Sequence, residues 1–332
     1  LSRSPDAQMQ AIASLVDLKA CYETAGREAP QLLSTMLHML VPPLLALTHG
    51  DGGIGNWQGS GAIKASRLAR LIEASGVRAR PLKDPSGWGY QRVTARKATL
   101  LVDGAPPPHG KHARHGCAST LAFEFSHGEH RLIVNCGGAA LAGGQVPVRI
   151  EQGLRATAAH STMVLGDANS TAVMIDGELG AGVGEVEIDT RQVKLGNGSA
   201  TRIEASHDGY ASRFGLVHRR ILMLRDDGHE LRGEDVLVPS GRKGKRGKVP
   251  FAIRFHLGRN IEAKVADNGK GASLLLPDGS LWQFMTGAEG VTLEESLWVD
   301  GNGRPHPVQQ LVIEGFASRG GGNFAWLLKR MG

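Results

Sequence analysis

The residues of this chain best suited to proton transfer lie in Arg114-His115-Gly116-Cys117-Ala118-Ser119-Thr120-Leu121-Ala122-Phe123-Glu124-Phe125. An imidazole titrates near neutral pH and so can take or give a proton there. If this run is a strand, its period of two puts His115, Cys117, Ser119, Leu121, Phe123 and Phe125 on one face. That face is polar at its start and apolar afterwards. It would be anchored in a core at one end and would offer an imidazole and a thiol at the other, where folding alone requires neither. The pattern continues through a tight turn into Arg131-Leu132-Ile133-Val134-Asn135-Cys136-Gly137, and a second histidine, His160, follows in RATAAHST.

The elements that must position these groups change character near residue 80. From Asp6 to about residue 25, Met9, Ile12, Leu15, Val16 and Ala20 recur at helical spacing. From Gln31 to about residue 47, Leu33, Met36, Leu37, Leu40, Val41 and Leu44 form an i, i+3, i+4 stripe. Pro42 and Pro43 inside that stripe predict a kink or an end. A third helix is expected over residues 62–75, with Ser60 as its cap and Gly76 as its stop. Beyond it the period falls to two. Runs such as ATLLVDG, STMVLGD, RILMLRDDG, FAIRFHL, LWQFM, VTLEESLWV and QQLVIEG are separated by Gly, Pro, Asp and Asn turns. Many strands without intervening helices predict stacked antiparallel sheets. The expected fold is therefore mainly β: a helical segment (1–80), then a large antiparallel β-sandwich (81–332) with no helix longer than a few turns.

Composition narrows the possibilities. The 332 residues leave room for two domains, and 46 glycines with few aromatics suit short strands joined by turns. No run of 18 apolar residues is present to span a membrane as a helix. The start, Leu1-Ser2-Arg3-Ser4-Pro5, carries neither an initiator methionine nor a signal pattern and reads as cut from something longer. Cys21, Cys117 and Cys136 make an odd count without paired spacing, so no disulfide framework is inferred. The formal charge is +6, much of it from Arg242, Lys243, Lys245, Arg246 and Lys248 in GRKGKRGK. This stretch is either a solvated loop or a basic loop for an acidic polymer, which makes Lys245 a candidate substrate contact. Nucleic acid is a poorer partner, because no recognition helix, zinc-finger spacing or aromatic-studded strand accompanies the charge. GDGGIG at 50–55 fits a dinucleotide fingerprint only formally. A helix precedes it and a loop with Trp57 and Gly59 follows, where a strand and a helix are needed.

Three blocks, HGCASTLAFEFSHGEHRLIVNCG, RATAAHSTMVL and ASHDGYASRFGLVHRR, resemble the C-terminal half of heparinase II/III-type polysaccharide lyases. SRSP and THGDGGIGNWQGSG extend the resemblance to nearly the whole chain. It implies a helical toroid, of which only the last helices are present, followed by a β-sandwich, and a periplasmic location. The implied activity is β-elimination on a uronic-acid polysaccharide: the carboxylate is neutralised, the C5 proton removed and the leaving oxygen protonated. Aligned on Phe123-Glu124, the family's first motif histidine falls on His115, the catalytic candidate. A family tyrosine near the cleft matches Tyr210, and His160, matching the family's A-H-N-T histidine, is a further catalytic candidate. His207 and Arg219, with His218, are similarly placed as substrate contacts.

The same alignment exposes a departure. Several family members hold a zinc ion with the second motif histidine, a later acidic residue and the A-H-N-T histidine. Here those positions are Cys117, Asn135 and His160, and the amide of Asn135 is a poor substitute for a carboxylate. The motif aspartate is replaced by Ser119. His256 in FAIRFHL reads as a satisfied strand histidine. His109, His112 and His115 form an H-x-x-H-x-x-H run that reads as a loop after a Pro triplet. The resemblance also puts the family's principal tyrosine base and its uronate-neutralising residues upstream of SRSP, and Tyr22 matches none of its motifs. Two classes stay open: a lyase fragment for an anionic glycan, and a non-catalytic carbohydrate-binding or scaffold β domain. A glycoside hydrolase would want two carboxylates facing a cleft, and Glu124 alternates away from His115.

Overall fold

The computed structural model describes residues 2–138, 147–174, 178–241 and 247–332. Three helices come first: α1 (Pro5–Thr24), α2 (Gln31–Leu45) and α3 (Ala65–Ser75). Pro5 enters α1 at its first turn, where a missing N–H costs nothing. Ser60 is not the cap of α3; its Oγ accepts the Asp6 amide at 3.0 Å and so serves the start of α1. Gly76 does end α3, in the left-handed conformation at φ 69°. Pro42 and Pro43 do not stop α2, which runs through both to Leu45. They sit in its last turn, and the carbonyls they leave free, of His38 and Met39, belong to exposed residues that water can reach.

Among the described residues sixteen strands follow. They are β1 (Tyr90–Ala95), β2 (Ala98–Asp103), β3 (Phe123–His127), β4 (His130–Val134), β5 (Met163–Leu165), β6 (Val186–Leu195), β7 (Gly198–His207) and β8 (Leu216–Arg225). Then come β9 (Glu230–Pro239), β10 (Lys248–Leu257), β11 (Glu262–Val265), β12 (Gly271–Leu275), β13 (Leu281–Thr286), β14 (Val291–Val299), β15 (Pro305–Ser318) and β16 (Gly322–Arg330). They form two antiparallel sheets of eight. One runs β1-β2-β3-β4-β10-β15-β14, with β5 beside β10; the other runs β11-β12-β13-β16-β9-β8-β7-β6. Among the described residues the helices within this region are short, the longest being α4 (Val148–Gly153), followed by α5 (Ala211–Phe214).

The main core lies between the sheets, where Phe123, Phe125, Phe255, Phe284, Trp282 and Trp326 pack together. A second core holds the helices against the outer face of β1 and β2 through Met9, Ile12, Leu37, Val41, Leu44, Tyr90 and Leu101. Every residue of β2 is buried. Leu100 and Val102 face the sandwich while Leu101 faces the helices, so a run apolar on both faces is what this layer needs. Each such leucine contributes roughly 1.5–3 kcal/mol. Polar links fasten the layers as well. The Arg92 guanidinium donates to the carbonyls of Ala46 and Thr48 at 2.7 and 2.6 Å, satisfying the end of α2.

One expectation fails at the centre of interest. The strand predicted from Arg114 starts only at Phe123; residues 113–122 form a turn-rich loop. Leu121 sits at φ 63°, a left-handed conformation that interrupts any strand.

Candidate active-site cleft

The loop before β3 brings His115 to a cleft between the start of α1 and the β domain. A groove of about 650 Å³ is walled by Arg3, Gln8, Leu40 and Trp88. It shares Ser2, Ser4, Ala7 and His112 with a smaller cavity of about 100 Å³, whose other walls are Asp6, Gln10, Gln58 and His115.

The loop is held by neighbours rather than by sheet pairing. The guanidinium of Arg155 donates to the carbonyls of Gly116 and Ala113 at 2.7 and 3.1 Å, and its own carbonyl accepts the Ala118 amide at 2.9 Å. Gln58 Oε1 accepts the Cys117 amide at 3.0 Å, while its Nε2 donates to Asp103 and Ser119 at 2.9 Å each. Gly59, at φ 77°, passes so close that a Cβ there would stand 2.5 Å from the His115 carbonyl. His115 itself is half-buried, and among the described residues its ring has no hydrogen-bond partner. Burial, then the charges of Arg114 and Arg155, push its pKa down. At neutral pH it is a neutral imidazole open to the cleft, able to accept a proton.

The other predicted site residues do not gather around it. Tyr210 is buried in the sandwich, its hydroxyl donating to the Met163 carbonyl at 2.8 Å. Burial raises its pKa, so it stays a neutral phenol. His207 is buried too. Its Nδ1 accepts the Gly209 amide at 3.1 Å and its Nε2 meets His218 Nδ1 at 3.3 Å. His218 passes the chain on to Asp235 at 2.7 Å, which also holds Arg220 at 2.8 Å and Trp326 Nε1 at 3.1 Å. Although burial works against it, the charge of Arg220 keeps Asp235 ionised. This is an internal brace between strands rather than a substrate contact. Arg219 is exposed but pairs with Glu204 at 3.5 Å and shares its depression with Glu187 and Asp189, surroundings that repel an anionic glycan. Lys245 lies outside the described residues. His160 is buried, its Nδ1 donating to the Ala156 carbonyl at 2.8 Å. His256 is satisfied by Ser296 at 2.7 Å and the Ala158 carbonyl at 3.0 Å.

Residues 77–327 match the family Heparinase II/III-like, C-terminal. The chain belongs to the heparinase II/III-like family. It is 28% identical over 331 residues to FtsZ-localized protein C of Caulobacter vibrioides (strain NA1000 / CB15N), covering 94% of this chain and 54% of that one. The heparan sulfate lyase HepC from Pedobacter heparinus has the same fold at a TM-score of 0.70 and 14% identity, over 99% of this chain and 52% of the enzyme. A heparinase III superposes with a TM-score of 0.72 at 11% identity, over 99% and 54%. The chain thus spans about half the length of these relatives.

The zinc set implied by the family does not fit the residues present. Zinc needs a thiolate, yet burial pushes the Cys117 thiol up to about 12, and it donates to the His115 carbonyl at 3.6 Å. Asn135 Oδ1 already accepts the Ser161 amide at 2.9 Å, and its Nδ2 donates to Glu124 Oε1 at 3.3 Å and the Asn56 carbonyl at 3.4 Å. Among the described residues no three of His, Cys, Asp and Glu stand close enough to share an ion. A hydrogen-bonded amide joins β3, β4 and the loop at 160, at the place where the family resemblance implies a metal ligand.

Sequence reasoning missed Asp6, Gln58 and Arg155. Asp6 reads as an ordinary acid in a first helical turn, and nothing local distinguishes it. Gln58 and Arg155 act through the loop they hold, which only the tertiary fold reveals.

Proposed function

We propose that the chain forms one wall of the active site of a polysaccharide lyase acting on an acidic, uronic-acid-containing glycan. The observation that carries this reading is the open, neutral imidazole of His115 in a cleft, at the position of the family's first motif histidine. In β-elimination it would take the proton from the carbon bearing the uronate carboxylate. The C–H pair becomes the ring double bond, and the glycosidic oxygen leaves with its own pair. A polymer would approach along the groove past Trp88 and Arg3, which shares Ser2, Ser4, Ala7 and His112 with the small cavity lined by His115. The chain's half-length coverage of its relatives fits a site completed by further protein, which would neutralise the carboxylate.

The test is ultraviolet absorbance of the unsaturated product, with the complete protein on hyaluronan, chondroitin sulfate, heparan sulfate and alginate. Cleavage abolished by His115→Ala supports the reading. Cleavage unaltered by that change shows that another group is the base.

A second reading has its own support. The similarity to FtsZ-localized protein C, together with Cys117 and Ser119 in place of motif His and Asp, favours a binding or scaffold domain whose catalytic equipment is reduced. Absence of unsaturated product on every glycan, with direct binding of the chain to FtsZ filaments, would favour it.

A further inference from the structure

We propose that Asp6 is a second proton-transfer residue of this cleft, working with His115 in the cavity that both line. The proposal rests on the eliminative reading and deepens it. Asp6 is 5% exposed, yet its Oδ1 has no hydrogen-bond partner among the described residues. Buried carboxylate oxygens are seldom left so, because an unmatched acceptor carries its full desolvation cost. An acid serving only the helix dipole would do so from the surface.

The groups that face Asp6 come from three sides. Arg67 on α3 holds Nη1 3.8 Å from Oδ1, too far for a hydrogen bond. Ser60, in the loop between α2 and α3, is engaged by the Asp6 amide and by Ser4 Oγ at 2.9 Å. His112, His115, Gln10 and Gln58 line the same cavity as Asp6. Arg67 is thus the cation that pairs with the carboxyl, and Oδ1 is buried without a hydrogen-bond donor among the described residues.

Burial raises the Asp6 pKa to about 6 against the opposing pull of Arg67, Ser60 and the Gly61 backbone. Both its forms are therefore populated near neutrality, the condition for a carboxylic acid to donate a proton in catalysis. In the elimination, neutral His115 removes the carbon-bound proton and the C–H pair becomes the double bond. The glycosidic bond breaks with its electrons on oxygen, and protonated Asp6 gives that oxygen its proton. The imidazolium then returns a proton to the Asp6 carboxylate, so the pair is restored with no co-reactant.

Two measurements on the complete protein test this. On whichever of the four glycans is cleaved, Asp6→Asn should lower kcat about 10²–10⁴-fold with KM little changed. It should also remove the limb of the pH–rate profile near pH 6, and Asp6→Glu should restore part of the rate. The melting temperature of Asp6→Asn should not fall, since the amide removes an unmatched charge. Wild-type kcat and an intact limb in Asp6→Asn overturn the proposal while leaving the lyase reading standing. The second measurement needs no turnover: carboxyl-carbon NMR of Asp6, in wild type and in His115→Gln. A displaced Asp6 titration in the variant supports the pair, and an unmoved one overturns it. If no glycan is cleaved the lyase reading fails, and this titration still decides whether the two groups share a proton.

Discussion

Glu124 and His49 meet at 2.9 Å inside the protein, the carboxylate Oε2 on β3 accepting the Nε2–H of an imidazole from the loop after α2. Oε1 of the same carboxylate accepts the amides of Asn56 at 2.9 Å and Asn135 at 3.1 Å. One buried acid therefore ties the helical segment to two strands of the sandwich. Gly55 makes room for it: a Cβ there would lie 1.8 Å from Oε2. Burial alone would push the Glu124 pKa up, but the His49 hydrogen bond, with Arg131 nearby and the Asn56 amide, holds it below the ordinary value.

Removing that acid should loosen the joint between layers. Glu124→Ala is expected to cost on the order of 3–5 kcal/mol, because it strips a buried hydrogen-bond hub of its centre. Urea denaturation measures this. A loss below about 1 kcal/mol would mean that the helices are held by apolar packing alone.

Tyr210 and His115 should separate in their effects. Tyr210→Phe leaves the Met163 carbonyl unpaired and should cost about 1–3 kcal/mol of stability while leaving catalysis unchanged. His115→Ala should do the reverse, since its ring has no partner among the described residues to lose. Paired thermal melts and cleavage assays distinguish them. Loss of kcat in a well-folded Tyr210→Phe would return the tyrosine to the site.

Stability should fall as pH drops below neutrality. Burial, the leading cause for each, lowers the pKa of His49, His160, His207, His218 and His256, the last to about 3. Between the unfolded value of about 6.5 and these folded values, the unfolded chain binds more protons than the folded one. Each histidine then removes up to roughly 1.4 kcal/mol per pH unit. Asp6 acts in the opposite sense, because its pKa, raised to about 6, lets the folded state take a proton first. One carboxyl offsets only part of the effect of five imidazoles. Chemical denaturation from neutral pH to about pH 5 should show a steady decline. A flat profile would mean that these rings titrate in the fold.

Restoring the family's acid should not restore a metal. Asn135→Asp would set a second carboxylate 3.3 Å from Glu124 Oε1, where an amide now donates, so the variant should be less stable. Chelation should leave the wild-type melting temperature unchanged. A variant whose melting temperature rises with added zinc would show that the site needs only its acid.

Much of the architecture was legible in the chain because periodicity reports burial directly. The stripe from Leu33 to Leu44 became the packed face of α2 except at Met36, which is exposed, and runs such as FAIRFHL and VTLEESLWV became β10 and β14. Less regular strands escaped notice. β7 holds Ala200, Ile203, Ala205 and His207 inward among half-buried polar residues, a pattern too mixed to stand out.

The site divides along the same line. Residue types and order singled out His115 as a candidate and marked Cys117 and Asn135 as departures from the family, since chemistry follows from side-chain identity. The sequence could not tell that residues 113–122 form a loop, because that depends on Arg155 and Gln58 arriving from 39 to 61 positions away to replace sheet pairing. Nor could it separate the open imidazole of His115 from the enclosed ones of His160 and His207, which carry the same ring. Burial is a property of what other segments cover, and packing alone left Asp6 with an unmatched oxygen beside that cleft.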